Sequence, residues 1–203
     1  EMTSSLVGSE MCIRDRMLAC FFGFGGAKLR AKYDTVKNGF TTGVAADSGY
    51  ALNEELTTRL NTAANIITTA SNTLGADSTE VQTAQAALDS FSACLGAVQS
   101  DGRIHAPDSL SVYTGGRMHM LYQSNETLGT AIGQLYAKLQ EQAADPMKMG
   151  AVQGQYGQFN SADTIIGNLQ YNDAVYEYQN DVGGFPASML GRLFGVQEVE
   201  PFA

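Results

Sequence analysis

The sequence has no tryptophan, three cysteines, two histidines and a charged fraction of only 16% in 203 residues. Each shortage excludes something. His105 and His119 lie far apart, with no Cys or carboxylate at ligand spacing, and so do not specify a metal site. Met118-His119-Met120 does not change this, because consecutive helical residues point in different directions and cannot converge on one ion. Cys12, Cys20 and Cys94 lack the spacing of a disulfide framework or a zinc site, and Cys94 reads as a small apolar residue within a helical run. Twelve Lys+Arg against twenty-one Asp+Glu give a formal net charge of −9. No basic stripe is visible for phosphate, so no nucleic-acid partner is expected. Nucleophile elbow, phosphate-binding loop and zinc-protease motifs are all missing, and neither histidine has Glu three residues before it, as a di-iron bundle requires. The expectation is a protein with no catalytic residues, no metal and no cofactor.

What is present is apolar periodicity. The chain is 44% hydrophobic, enough for a real core, and its polar faces use Gln, Asn, Thr and Ser in place of charge. Leu29, Tyr33, Val36 and Phe40 make one face of a first, shorter helix over about 27–44, interrupted by Gly39 and Gly43, and Asp47-Ser48-Gly49 reads as a turn. Leu52, Leu56, Leu60, Ala63, Ile67, Ala70 and Leu74 form a continuous helical stripe that Gly75 ends, with Glu54 and Glu55 on its solvated side. Asp77 with Glu80 predicts a capping box for the next helix, whose apolar face is Val81, Ala84, Leu88, Phe91, Leu95 and Val98. Residues 99–116 read as a long loop.

A fourth helix is predicted over about 117–143, buried through Leu121, Leu128, Ile132, Leu135 and Leu139. Asp145-Pro146 then starts a fifth that runs to Val182, with Val152, Phe159, Ile166, Leu169, Val175, Tyr178 and Val182 leaning inward. Gly150, Gly154, Gly157 and Gly167 weaken that helix and permit close approach of a neighbour. Gly183-Gly184 and Pro186 end it, and 187–194 make one short helix before a coil tail. No run alternates as a half-buried strand does. The expected fold is all-α, an antiparallel bundle of about four long amphipathic helices plus a shorter N-terminal and a short C-terminal helix.

The N-terminus is set apart. LVGSEMCIRDR, Leu6 to Arg16, resembles one translated frame of a sequencing-library adapter, so residues 1–16 are excluded from fold reasoning. Without them ten basic and eighteen acidic residues remain, and the sign of the charge stands. The apolar stub 17–26, MLACFFGFGG, is shorter than the roughly 20 residues that span a bilayer. Two readings stand for it: the surviving end of a signal peptide, lipoprotein signal or membrane anchor, or the apolar N-terminus of a cytoplasmic protein. Residues 27–203 are then one helical domain.

Tyr171, Tyr176 and Tyr178 crowd the end of the last long helix with Asn172, Gln179 and Asn180. Tyr171, Val175, Tyr178 and Val182 read as a core stripe at 4-3-4 spacing, the alternative being a recognition surface. The same segment, Tyr171-Asn172-Asp173-Ala174-Val175-Tyr176-Glu177-Tyr178-Gln179, followed by Phe185-Pro186 and by Leu193-Phe194-Gly195-Val196, resembles the C-terminal signature of the LemA family. That pattern is close to YN-x-AV-x-x-YN, then FP, then a glycine-bearing hydrophobic tail. Tyr171, Asn172, Ala174, Val175, Tyr178, Phe185, Pro186 and Gly195 match it, and Gln179 stands where the family has its second Asn. The family's N-terminal membrane helix and RR-x-DLIPNLV-like segment are absent. The resemblance implies an envelope-associated, all-α bacterial protein without established enzymatic activity. It implies a structural or interaction module with an unidentified protein partner and membrane attachment through the N-terminal segment. An inter-helix polar site, in a ligand-binding bundle or an enzyme, is the alternative.

Overall fold

The apolar stripes reappear as buried faces. In the computed structural model, which describes residues 25–100, 103–142, 146–183 and 197–203, the architecture is all-α with one two-stranded hairpin. Helix α1 covers 25–41 and buries Leu29, Val36 and Phe40. It passes through Gly39 and stops at Gly43, whose φ of +76° is left-handed and where a Cβ would stand 2.1 Å from the Gly49 carbonyl oxygen. Only glycine fits there. A 3-10 turn, Ala45–Asp47, leads to α2, Leu52–Leu74.

Helix α2 is the hub, packing against α3 (Thr79–Leu95), α4 (Arg117–Gln142) and α5 (Pro146–Asn168), while α3 lies chiefly along α4. Arg59 meets Phe159 and Asp163, and Asn65 meets Gln155, so α2 and α5 run antiparallel. One apolar cluster extends from Val36 through all these helices to Val199 and Phe202.

Several expectations need correction. The fifth helix does not continue to Val182: it ends at Asn168, and α6 restarts as Tyr171–Val182. Gly167 stands one residue before the break but lacks the left-handed φ that closes a helix, and no Pro lies there. The Asp47 carboxylate accepts the Gln170 N–H at 3.0 Å, the donor a continuous helix would use at Ile166. Residues 99–116 are not all loop, since β1 (Val98–Ser100) pairs antiparallel with β2 (Arg103–His105), leaving Val98 exposed. Asn61 donates to the Ile104 carbonyl and Thr57 accepts from the Ala106 N–H, seating this hairpin on α2. Ser78, not Asp77, is the N-cap of α3, its hydroxyl donating to Glu80 at 2.8 Å. Glu54 is exposed as expected, but Glu55 is buried, and burial together with the neighbouring Glu54 charge raises its pKa. Gly150, Gly154, Gly157 and Gly167 face open space. The close approaches are instead at Gly129 and Gly133 of α4, beside Arg59 and Tyr156. The expected connection at Ala144–Asp145 and the expected short helix 187–194 lie outside the described residues.

The largest departure is Arg59, 1% exposed at the centre of α2. Its guanidinium pairs with Asp163, donates to the Phe159 and Asn125 carbonyls at 3.5 and 3.4 Å, and stacks 4.0 Å from the Phe159 ring centroid. The leucine stripe of α2 does not include Arg59, because a helix packed on three sides buries more than one face. Breaking a buried pair leaves a desolvated charge, whereas removing both partners does not. Asp163 is half exposed, so Asp163→Ala is expected to cost about 2–3 kcal/mol in urea unfolding. Arg59→Met combined with Asp163→Ala should recover most of that loss, and a double variant less stable than the single one would contradict this account.

Candidate functional site

The tail 197–203 has no helix or strand of its own, yet Val199 and Phe202 are buried. What holds it is a set of side chains on α6. Tyr171 donates its hydroxyl to the Glu200 carbonyl at 3.0 Å, and Tyr178 donates to the Gln197 carbonyl at 2.9 Å. Asn172 makes two bonds to one residue, donating to the Phe202 carbonyl at 2.9 Å and accepting the Phe202 N–H at 2.7 Å. Gln179 donates to the Val199 carbonyl at 2.9 Å. Both pairs on the helix are seven residues apart, and each reads tail residues three apart. Seven helical residues rise about 10.5 Å and three extended residues about 10 Å, so the two repeats stay in step. The tail runs antiparallel to α6.

The two pairs reach the tail from different faces. Tyr171, Val175 and Tyr178 form the expected core stripe, and the two phenols extend past it to the tail. Asn172 and Gln179, one position on, stand at the edge of that stripe. Ala174 is packed at the core margin and Val175 is fully buried, so the middle of the motif is packing. Tyr176 is exposed. Phe185, Pro186 and Gly195 lie outside the described residues.

Other elements complete the groove. The Glu200 carboxylate accepts the Gly116 N–H at 2.7 Å and the Met118 N–H at 3.4 Å, placing an anion on the orphan donors at the start of α4. Phe202 packs edge-on against Tyr122, with ring centroids 5.3 Å apart. From α1, Tyr33 packs on Tyr178 and reaches the Gln197 side chain at 3.4 Å. Lys32 pairs with Asp181 at 2.7 Å and Glu177 at 3.7 Å, fixing α1 to α6. His119, considered above for metal chemistry, bonds the Ala203 main-chain oxygen through Nδ1 and Gln123 through Nε2. Met118 is buried and Met120 exposed, so those three residues diverge as expected.

Beside the tail is a cleft of about 330 Å³ between α2, α4, α5 and α6, lined by Tyr122, Asn125, Glu126, Asp163 and Tyr171 and closed on one side by Phe202. Asn125 is 1% exposed, and its Oδ1 has no hydrogen-bond partner. Among the described residues no three of His, Cys, Asp and Glu gather as metal ligands, and no helix is long and apolar enough to cross a membrane.

The sequence singles out Tyr171, Asn172, Tyr178 and Gln179 as a cluster but does not show what they hold. Val199, Glu200 and Phe202 sit in a segment too short for periodicity, and Arg59 and Asp163 lie off the stripes. The seven-residue repeat of Tyr-amide pairs, set against apolar residues three apart near the end, is the signal that connects them. No family model, no curated protein and no solved structure matches the chain.

Two outcomes follow from the ladder. Asn172→Ala removes two bonds to Phe202 and leaves that residue's polar groups unpaired, a loss of about 1–3 kcal/mol in tail docking. Carboxypeptidase should then trim the tail faster than in the parent chain while the helical circular dichroism is retained; equal trimming would contradict the ladder. Separately, burial raises the phenol pKa of Tyr171, and it pushes Tyr178 up to about 12, with Tyr33 adding to the effect. In the unfolded chain these phenols ionise near pH 10. Their contribution to stability is therefore complete below about pH 10 and lost as pH rises through the raised values. Phenolate absorbance at alkaline pH should show a late step that coincides with loss of helix. Full ionisation near pH 10 with the fold intact would contradict it.

Proposed function

We propose that the chain is a divergent LemA-type protein, a non-catalytic helical scaffold working at the cell envelope and presenting its polar helix faces to a protein partner. One observation carries the reading. The residues that bear the resemblance, Tyr171, Asn172, Tyr178 and Gln179, all hydrogen-bond the tail backbone. Their role is architectural, so the motif needs no substrate or cofactor to explain it. The replacement of the second Asn by Gln179 keeps the amide donor the ladder uses. Membrane attachment, in this proposal, comes from sequence on the N-terminal side of α1.

A second reading, a ligand-binding bundle, rests on the cleft and on the unpartnered Asn125 Oδ1 within its lining. A small molecule that co-purifies in native mass spectrometry and is lost in Asn125→Leu would favour it.

The test of the first reading is fractionation of bacterial cells expressing the full chain with a photo-cross-linking residue at exposed Tyr176 or Met120. The expected result is recovery in the envelope fraction with adducts to a different protein. Recovery wholly in the soluble fraction would overturn the envelope assignment, and adducts confined to copies of the chain would overturn the partner.

A further inference from the structure

The ladder recognises its occupant almost entirely through main-chain atoms. The donors of Tyr171, Asn172, Tyr178 and Gln179 meet carbonyls of residues 200, 202, 197 and 199, and Asn172 also accepts a backbone N–H. Helix-borne side chains that read an extended backbone form a peptide-binding groove, and nothing in this geometry requires the peptide to belong to the same chain. We propose that the α6 ladder is a seat for an extended peptide and that it also takes the tail of a second copy, so that copies join by exchanging residues 197–203.

Three features select that occupant over an arbitrary peptide. Val199 and Phe202 fill apolar positions three residues apart, in step with the ladder. Glu200 between them answers the N-terminal donors of α4, which favour an anion at that point. Phe202 meets Tyr122 edge-on. This chain's own tail satisfies all three, and so does the same tail from another copy.

The connection has the length for it. Thirteen residues, 184–196, join the end of α6 to the tail. Gln197 is bonded at Tyr178, five residues before Gly183, a rise of about 7.5 Å along the helix. Thirteen residues have a reach of about 45 Å when extended. Seating the tail within its own chain needs only a fraction of that upper limit, so the number of intervening residues does not by itself confine the tail to its own ladder. The tethered tail competes at an effective concentration of millimolar order, so exchange prevails only where copies are crowded to a similar level or where the tail in its own ladder is weakened. A reciprocal exchange closes a dimer, whereas a one-way exchange leaves one free tail and one free ladder and extends as a chain of copies.

This goes beyond the scaffold reading and does not depend on it, because purified chains decide it. The test pairs two full-length variants. Asn172→Ala with Gln179→Ala keeps the tail and disables the ladder. Val199→Ala with Phe202→Ala keeps the ladder and disables the tail. Each alone should be monomeric by light scattering, with helical circular dichroism intact, while the mixture forms a one-to-one heterodimer whose fraction exceeds that in either solution alone by at least about tenfold. A mixture of two folded variants that stays monomeric at roughly millimolar concentration would overturn the proposal. If either variant fails to fold, the parent chain decides. Native mass spectrometry after concentration to about millimolar and rapid dilution should show dimers that Phe202→Ala lacks. Absence of dimers, or dimers unaffected by Phe202→Ala, would overturn it.

Discussion

Seven residues of α-helix and three residues of extended chain cover nearly the same distance, and the docking of the tail on α6 is organised by that coincidence. Tyr171 and Asn172 at the start of α6, repeated by Tyr178 and Gln179 two turns on, hold the tail at matched intervals. Once the tail is in register, Glu200 closes the N-terminus of α4, Phe202 meets Tyr122, and Gln197 comes under Tyr33 of α1. Three helices distant in sequence are joined through a segment with no secondary structure of its own. Val199 and Phe202 are both buried while the four ladder side chains hold the backbone around them, which ties the tail to one register.

The second organising element is α2. Because α3, α4 and α5 all pack on it, its buried surface extends past the leucine stripe to Asn53, Glu55, Arg59 and Thr62. Arg59 is accommodated by two carbonyls, the Asp163 carboxylate and the face of Phe159, with Gly129 of α4 leaving room for the guanidinium. Asp47, at the turn between α1 and α2, takes the Gln170 N–H and so sets the point at which α6 restarts. The ladder's starting position therefore depends on a side chain more than a hundred residues away.

Much of this was legible in the sequence where periodicity operates. Most stripe residues of α1, α2, α3 and α4 are buried as their spacing implies, with Tyr33 and Leu74 half-buried at the margin and Val98 exposed, and the 4-3-4 stripe of α6 is core but for half-buried Val182. What periodicity cannot reveal is where a tertiary contact redirects the backbone. The break between α5 and α6 carries no left-handed Gly and no Pro, and Asp47 takes the Gln170 N–H freed there. The hairpin is three residues per strand, too short for an alternating pattern, and is held by Asn61 and Thr57 of α2. Glu55 and Arg59 were unreadable for a related reason: the number of neighbours a helix has is a property of the assembled bundle. The Tyr171-Asn172 and Tyr178-Gln179 pairs were visible as a string of letters, but their physical content, two Tyr-amide pairs in step with the tail, appears only when the tail lies beside them.

The amide of Phe202 tests the ladder most directly. It is a tail N–H that donates into the ladder, at 2.7 Å to Asn172 Oδ1, and it lies one residue from the end of the sequence, where free chain would exchange at once. Residue-resolved hydrogen exchange below pH 7 should find this amide protected and its protection lost in Asn172→Ala, with the amides of α2 still slow. Exchange of Phe202 at the rate of an unstructured peptide in the parent chain, with α2 and α4 protected, would contradict the account.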